Sequence, residues 1–178
     1  NEFHVDGYRF DLSKGFTQNN TLGNIAAWGA YDQSRVNILN DYYSHMQSVE
    51  PGSYAILEHL GSNGEEEVLS DSGMMLWGKM TTEYEEASMG YTGNLSWGSY
   101  QNRGWSQPRL VTYAESHDEE RMMYKNLQFG NSSGSYDINN LSTALERQEL
   151  AHCLLIPIPG PKMIWQFGEL GYEYSINY

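Results

Sequence analysis

Three short apolar runs in this chain each lead directly into an acidic residue, and this pattern constrains the fold more than any other feature. The acids are Asp11, Glu58 and Asp118. Each run has the length and composition of a buried strand. Acids at the carboxyl ends of several parallel strands meet at one end of a β/α barrel, where such proteins build their catalytic sites. Arg9 and His117 stand beside two of these acids and belong to the same candidate site.

Strand-like and helix-like segments alternate along the chain. The predicted strands cover 3–12, 54–57, 73–77, 110–113 and 162–167. Apolar residues at helical spacing predict helices over 31–49, 79–89 and 140–156. Loops rich in glycine or polar residues are predicted over 13–30, 61–72, 90–108 and 130–139. Because helices lie between strands, we expect a parallel α/β sheet.

The composition indicates a globular protein with an acidic surface. The 178 residues are 39% apolar and 13% aromatic, and 10 Lys and Arg oppose 23 Asp and Glu, for a formal net charge of −13. Nucleic acids and anionic membranes are bound by basic surfaces, so we predict neither partner. No apolar run approaches the roughly 20 residues of a membrane span. Cys153 is the one cysteine, which excludes an internal disulfide, and its apolar neighbours predict a buried thiol.

Four segments of the chain resemble signature regions of the alpha-amylase family of glycoside hydrolases and transglycosylases, and they occur in the family's order. The segment VDGYRFD at 5–11 is similar to the second region, ILE at 56–58 to the third and YAESHD at 113–118 to the fourth. The segment GPKMIWQFGE at 160–169 is similar to the region of the eighth barrel strand. Any one of these matches is weak, but together they span nearly the whole chain.

This resemblance implies a fold and a set of residue roles. The fold class is α/β, a partial (β/α)8 TIM barrel made of strands four to eight with their helices. Asp11 then takes the place of the nucleophile, Glu58 that of the general acid/base, and Asp118 that of the carboxylate that stabilises the transition state. Arg9 and His117 take the places of the family's active-site arginine and substrate-binding histidine.

The resemblance also bears on metal binding and on the extent of the domain. Residues 1–178 are identified as the C-terminal part of an alpha-amylase-type catalytic barrel, with strands one to three absent. The family often has Lys-His after the nucleophile, and the backbone of that histidine commonly helps to hold calcium. Here Lys14, an expected substrate contact, is followed by Gly15. We therefore predict no metal ligand and no cofactor in this chain, and calcium stays open for the rest of the barrel.

The chemistry of glycosidic-bond cleavage explains why these residue types matter. One carboxylate attacks the sugar while a carboxylic acid protonates the leaving oxygen, and retaining enzymes hold the two groups about 5–5.5 Å apart. Arg9 and Asp11 are two residues apart, so on a strand they share a face, where the cation favours the ionised carboxylate. The apolar run before Glu58 favours its protonated form. Trp97 and Trp105 lie in the long loop over 90–108, and we expect them to stack on sugar rings.

Each motif also has a structural interpretation. Taken singly, the Arg-x-Asp motif fits a structural ion pair, the strand-end glutamate a surface acid, and the His-Asp dipeptide a hydrogen-bonded loop pair. Their joint order favours the functional interpretation. The acidic run at 65–67 is expected to form a solvated loop face.

The expected function is hydrolysis of α-glucosidic bonds in starch-like or glycogen-like glucans by a retaining mechanism. A glucan branching or transglycosylating enzyme is the first alternative, because it would use the same three carboxylates. A non-catalytic glucan-binding relative, or an inert fragment, is the second. The 178 residues alone are expected to be inactive, and open sheet edges predict self-association. The size of the substrate favours a secreted or cell-envelope location over a cytoplasmic one.

Overall fold

Strands and helices alternate through residues 3–177, the part of the chain that the computed structural model describes. The strands are β1 (Gly7–Phe10), β2 (Tyr54–Leu57), β3 (Met75–Lys79), β4 (Leu110–Tyr113), β5 (Ser132–Ser133), β6 (Tyr136–Asp137) and β7 (Lys162–Met163). The α-helices are α1 (Ile25–Gly29), α2 (Gln33–Val49), α3 (Asn63–Asp71), α4 (Thr81–Ser88), α5 (Met122–Phe129) and α6 (Leu141–Leu155). A helix lies between each two successive strands of the main sheet.

The main sheet has five strands in the order β1, β2, β3, β4 and β7, and every neighbouring pair is parallel. It curls into a half barrel, so the predicted α/β class with a parallel sheet is confirmed. The register of the first pair places Phe10 opposite Leu57. The residues that follow, Asp11 and Glu58, therefore leave the sheet side by side at its carboxyl edge.

The two faces of the sheet carry different side chains, because successive residues of a strand point to opposite faces. One face contributes Leu57, Leu76 and Leu110 to a core that α2 and α3 cover. The other face carries a layer built around Trp77 and Tyr113, whose ring centroids lie 4.9 Å apart in an edge-to-face arrangement. Tyr113 is the last residue of β4, so this aromatic layer reaches the carboxyl edge of the sheet, where the acids lie.

The long helices follow the sequence signals. The Asp32 side chain caps α2 by accepting a hydrogen bond from the Ser34 N–H, and Asn140 caps α6 through the Ser142 N–H, as such residues do at helix starts. Both helices lie within two residues of their predicted bounds. The strand predictions over 54–57 and 110–113 are confirmed to the residue.

Several predictions of local structure are wrong. The loop predicted over 61–72 contains α3, and α5 lies where no helix is predicted. The strand predicted over 3–12 is shortened to β1, since His4 and Leu12 have positive φ angles of 44° and 43°. The strand predicted over 162–167 ends after Met163, and the loop over 130–139 contains the small β5–β6 hairpin. The Cys153 thiol, predicted to be buried, lies exposed on α6.

The edges of the main sheet are open within the described residues. Among residues 3–177, β1 pairs only with β2, and β7 pairs only with β4. Self-association through these edges stays a prediction. Within the same range, no helix has both the length and the apolar character needed to cross a membrane.

A buried carboxyl group on α4 predicts a pH-dependent stability. Burial raises the pKa of Glu85 to about 7; Lys125 opposes this shift, and Glu119, Glu115 and Glu120 add to it. The Glu85 Oε1 atom has no hydrogen-bond partner, and the Lys125 Nζ lies 3.8 Å from Oε2. Because the folded-state pKa is raised, the stability that this group contributes is present at low pH and is lost as the pH rises through about 7.

We therefore expect Glu85→Gln to gain stability relative to the parent protein as the pH rises from about 5 to about 8, by on the order of 2 kcal/mol. Urea unfolding at several pH values measures this difference. The exposed Glu146 on α6 provides the control, since Glu146→Gln should give a profile parallel to that of the parent. A constant difference between Glu85→Gln and the parent across this range would contradict the prediction.

Candidate active site

The carboxyl edge of the sheet brings Asp11 and Glu58 together through backbone contacts between the ends of β1 and β2. The Glu58 N–H donates to the Phe10 carbonyl at 3.0 Å, and the Ser13 N–H donates to the Glu58 carbonyl at 2.9 Å. Between them, Leu12 adopts a left-handed backbone conformation and its N–H donates to Glu58 Oε2 at 3.0 Å. The turn after β1 is thus fitted around the Glu58 carboxylate.

Arg9 joins the two acids. Its guanidinium lies 3.1 Å from Asp11 Oδ1 and 2.5 Å from Glu58 Oε2, and its central carbon lies 4.1 Å from the centroid of the Trp77 ring. The Asp11 side chain is 74% exposed, whereas the Glu58 side chain is 6% exposed. Arg9 therefore bridges Asp11 and Glu58, and the Glu58 Oε2 atom is already engaged by two donors.

The loop after β4 completes the group of acids. Ligand atoms of Asp11, Glu58 and His117 all lie within 4.8 Å of one another. The Asp118 Oδ1 lies 3.2 Å from the His117 Nε2. Oxygens of Asp11 and Glu58 thus lie within 4.8 Å of each other, which is compatible with the roughly 5–5.5 Å between the carboxyl groups of a retaining pair.

Two tryptophan rings contact the imidazole of His117. The ring centroid of Trp77 lies 5.8 Å from that of His117, and the centroid of Trp165 lies 6.0 Å away. Below them, burial raises the pKa of the Tyr113 hydroxyl, and the negative charges of Glu119, Glu58 and Asp118 raise it further. Trp77 and Tyr113 thus belong to a buried aromatic layer of the sheet, and Trp77 also contacts Arg9 and His117 of the site.

The same three side chains are a donor set that a divalent cation could use, since two carboxylates and one imidazole lie within reach of one point. However, the guanidinium of Arg9 already contacts both Asp11 and Glu58. A metal ion at this point would have to compete with this fixed positive charge. That the chain needs no metal stays a prediction.

A buried network supports the residues on either side of the acids. The Arg35 Nε and NH2 groups each donate to the Glu65 carboxylate at 2.6 Å. The His59 Nε2 lies 2.9 Å from Glu65 Oε1, and the Ser13 Oγ lies 2.9 Å from His59 Nδ1. All four side chains are fully buried. His59 directly follows Glu58, and Ser13 lies two residues after Asp11, so the network fixes both acid-bearing turns.

The protonation states in this network follow from its geometry and burial. Burial alone would raise the pKa of Glu65, but hydrogen bonds from His59 and Arg35 outweigh it and lower that pKa to about 2. Burial lowers the pKa of His59, which is therefore neutral near pH 7. Because the Glu65 carboxylate only accepts, the proton of His59 lies on Nε2, and the Ser13 hydroxyl donates to Nδ1.

The expectation of a solvated acidic face over 65–67 is wrong for Glu65 and also for Glu66, which pairs with Arg103 at 2.9 Å.

The other predicted substrate contacts, Lys14, Trp105 and Trp97, differ in their position and in how exposed their side chains are. Lys14 lies at the same edge, where its Nζ donates to the Leu60 carbonyl at 3.3 Å and lies 4.5 Å from the centroid of the Trp28 ring. Trp105 is 4% exposed and packs in the core under α2 and α3, so its ring is not accessible to a sugar. Trp97 is half exposed, next to Arg103.

Trp97 also lies on the other face of the sheet from Trp77. Its neighbour Gly98 accepts a hydrogen bond from the Thr112 hydroxyl, and Thr112 alternates with the inward-facing Tyr113. The tryptophans that flank His117 are instead Trp77 and Trp165. A signal for Trp77 is present in the sequence, because it stands near the carboxyl end of a predicted strand, but the face that it occupies cannot be read from its position.

Comparison of the chain with protein-family models and with curated proteins found no match. The function therefore has to be argued from the geometry and chemistry of the site itself.

Proposed function

We propose that this protein is a retaining glycoside hydrolase that cleaves α-glucosidic bonds in starch-like or glycogen-like glucans. The single observation that carries the proposal is the convergence of Asp11, Glu58 and His117 within 4.8 Å at the carboxyl edge of a parallel sheet, with Asp118 beside them. The resemblance to the alpha-amylase family supplies the substrate class. We further propose that the five-stranded half barrel corresponds to strands four to eight of a complete (β/α)8 barrel.

The mechanism assigns one step to each acid. The Asp11 carboxylate attacks the anomeric carbon, and the bond from that carbon to the leaving oxygen breaks while Glu58 transfers a proton to the oxygen. Water then attacks the anomeric carbon, Glu58 takes a proton from it, and the bond to Asp11 breaks. The proton of Glu58 belongs on Oε1, because Oε2 already accepts from Arg9 and from the Leu12 N–H.

The remaining groups stabilise charge and position the sugar. Arg9 places a positive charge 3.1 Å from the Asp11 Oδ1 atom and so holds this carboxylate in position. The negative charge of Asp118 stabilises the positive charge that develops on the sugar ring. His117, in contact with two indole rings, is placed to hydrogen-bond a sugar hydroxyl. Since Asp11 is largely exposed, both water and a sugar hydroxyl can reach the intermediate, so glucan transfer is the alternative outcome for the same acids.

Incubation with soluble amylose tests the proposal and separates the alternatives. We expect new reducing ends, released with retained anomeric configuration by proton NMR, and we expect Asp11→Asn to abolish them because it removes the nucleophile. New branch points without new reducing ends would indicate a transferase. Binding of amylose without either product would indicate a non-catalytic glucan-binding protein and would contradict the proposal.

The assay uses the protein purified from the cells that produce it, and the 178-residue chain alone is assayed in parallel. The parallel measurement tests the expectation that these residues by themselves are inactive.

A further inference from the structure

Three aromatic side chains form an exposed row near the end of the described chain. Phe167, Tyr172 and Tyr174 are 47%, 42% and 62% exposed. The centroids of Phe167 and Tyr172 lie 5.6 Å apart, and those of Tyr172 and Tyr174 lie 5.4 Å apart, with planes inclined by 43° and 52°. The three rings, which we call the aromatic row, therefore follow one another along a curved surface.

The aromatic row is held in place by the loop that carries His117 and Asp118. The guanidinium of Arg121 is buried against the Tyr172 ring, 4.7 Å from its centroid, and its NH1 donates to the Gln166 carbonyl at 2.9 Å. The Glu120 carboxylate accepts hydrogen bonds from the Ser175 hydroxyl, the Ile176 N–H and the Asn177 side chain. A surface fixed in this way loses little conformational entropy when a ligand binds.

The backbone at the start of the row is strained. Phe167 has a φ of 67°, an unfavourable conformation for a bulky residue. Its carbonyl accepts hydrogen bonds from the N–H groups of Leu170 and Tyr172, which close a tight turn and leave the Phe167 ring exposed. Strain of this kind is found preferentially at binding and catalytic sites.

The aromatic row begins two residues after a ring of the candidate active site. Trp165, two residues before Phe167, contacts His117 across 6.0 Å between ring centroids. Arg121 and Glu120, which anchor the row, come directly after the acids of the β4 loop in sequence. A chain-like ligand whose one unit lies at the acids can therefore continue onto these rings.

We propose that the aromatic row is a binding surface for further glucose units of a linear α-glucan whose cleaved unit lies at Asp11 and Glu58. The identity of the ligand as a glucan depends on the function proposed above. Aromatic rings stack on the apolar faces of sugars while their edges stay hydrated. The exposed carboxylates of Glu169 and Glu173 stand between the rings in sequence, where they can accept hydrogen bonds from sugar hydroxyls and repel anionic ligands.

The test measures binding without turnover, in the Asp11→Asn background, by calorimetric titration with soluble amylose and with maltose. Tyr172→Ala should weaken the binding of amylose about tenfold, the loss of one or two stacked contacts, and should weaken the binding of maltose much less. Tyr172→Phe keeps the ring and should bind as the parent does. Tyr136, equally exposed on the hairpin of β5 and β6, supplies the control variant Tyr136→Ala.

Equal amylose affinity in Tyr172→Ala and the Asp11→Asn parent, with unchanged melting temperatures, would overturn the inference, as would the absence of any amylose binding. Should Tyr172→Ala lower the melting temperature, Tyr174→Ala provides a second variant with the same expected loss. The result is independent of the hydrolysis assay, because an inactive protein that binds amylose through Tyr172 refutes the proposed hydrolysis but supports the aromatic row.

Discussion

Replacing Glu58 with glutamine is expected to lower the kcat for amylose by about 10²–10⁴-fold, the contribution of a positioned general acid. Glutamine keeps the shape of the side chain and can still accept from Arg9 and the Leu12 N–H. It has no proton to give to a leaving sugar oxygen. The loss should therefore appear in kcat and leave the KM for amylose nearly unchanged.

A substrate with a different leaving group separates the roles of the two acids. Fluoride leaves without a proton, so the first turnover of α-glucosyl fluoride should stay rapid in Glu58→Gln and should disappear in Asp11→Asn. The burst of fluoride release, measured with an ion-selective electrode, reports this turnover. Glu149→Gln, at an exposed position of α6, is the matched control. Equal losses on both substrates in Glu58→Gln would contradict the assignment of the acid.

Arg35→Met is expected to destabilise the protein by about 3–5 kcal/mol, because it leaves the buried carboxylate of Glu65 without its cation. The guanidinium also donates to the carbonyls of Lys14, Trp28 and Ala30, so the segment between β1 and α2 loses its anchor. Thermal unfolding measures the effect, as a decrease in Tm of roughly 10 °C.

Three further variants, one of them Glu65→Gln alone, show whether the cost comes from the unpaired charge. Arg35→Met combined with Glu65→Gln removes both charges and should be more stable than Arg35→Met alone. Arg109→Met removes a half-buried arginine that donates to the Ser70 carbonyl, and should cost only about 1 kcal/mol. If the losses from Arg35→Met and Glu65→Gln simply add, the two side chains do not act as a pair.

The sequence allowed the convergence of Asp11, Glu58 and His117 at one edge of the sheet to be predicted, because its signals are local. A continuous apolar run such as 54–57 predicts a buried strand, and the residue that follows it must lie at the carboxyl edge. Glu58 could be assigned in this way, and the pairing of β1 with β2 then places Asp11 beside it. His117 and Asp118 follow the equally clear run that contains β4.

The parts that could not be predicted depend on contacts between distant residues. Glu65 stands in a run of acids that is typical of a solvated surface, and only the arrival of Arg35, 30 residues earlier in the chain, makes its burial favourable. Helix α3 could not be predicted for the same reason. Its first turn carries Glu65 and Glu66, which are buried because they pair with Arg35 and Arg103. Trp105, expected to stack on a sugar, instead lies in the core, because the faces of the sheet are assigned by the fold as a whole.

The position of Trp77 has an optical consequence. Its indole lies against the guanidinium of Arg9 and the rings of Tyr113 and His117, and the emission of an indole shifts with the electric field around it. A sugar that binds between Asp11 and His117, as we propose, is expected to change that field directly. The fluorescence difference between the parent and Trp77→Phe is thus a built-in signal of occupancy, which can be followed in a stopped-flow instrument without any added label.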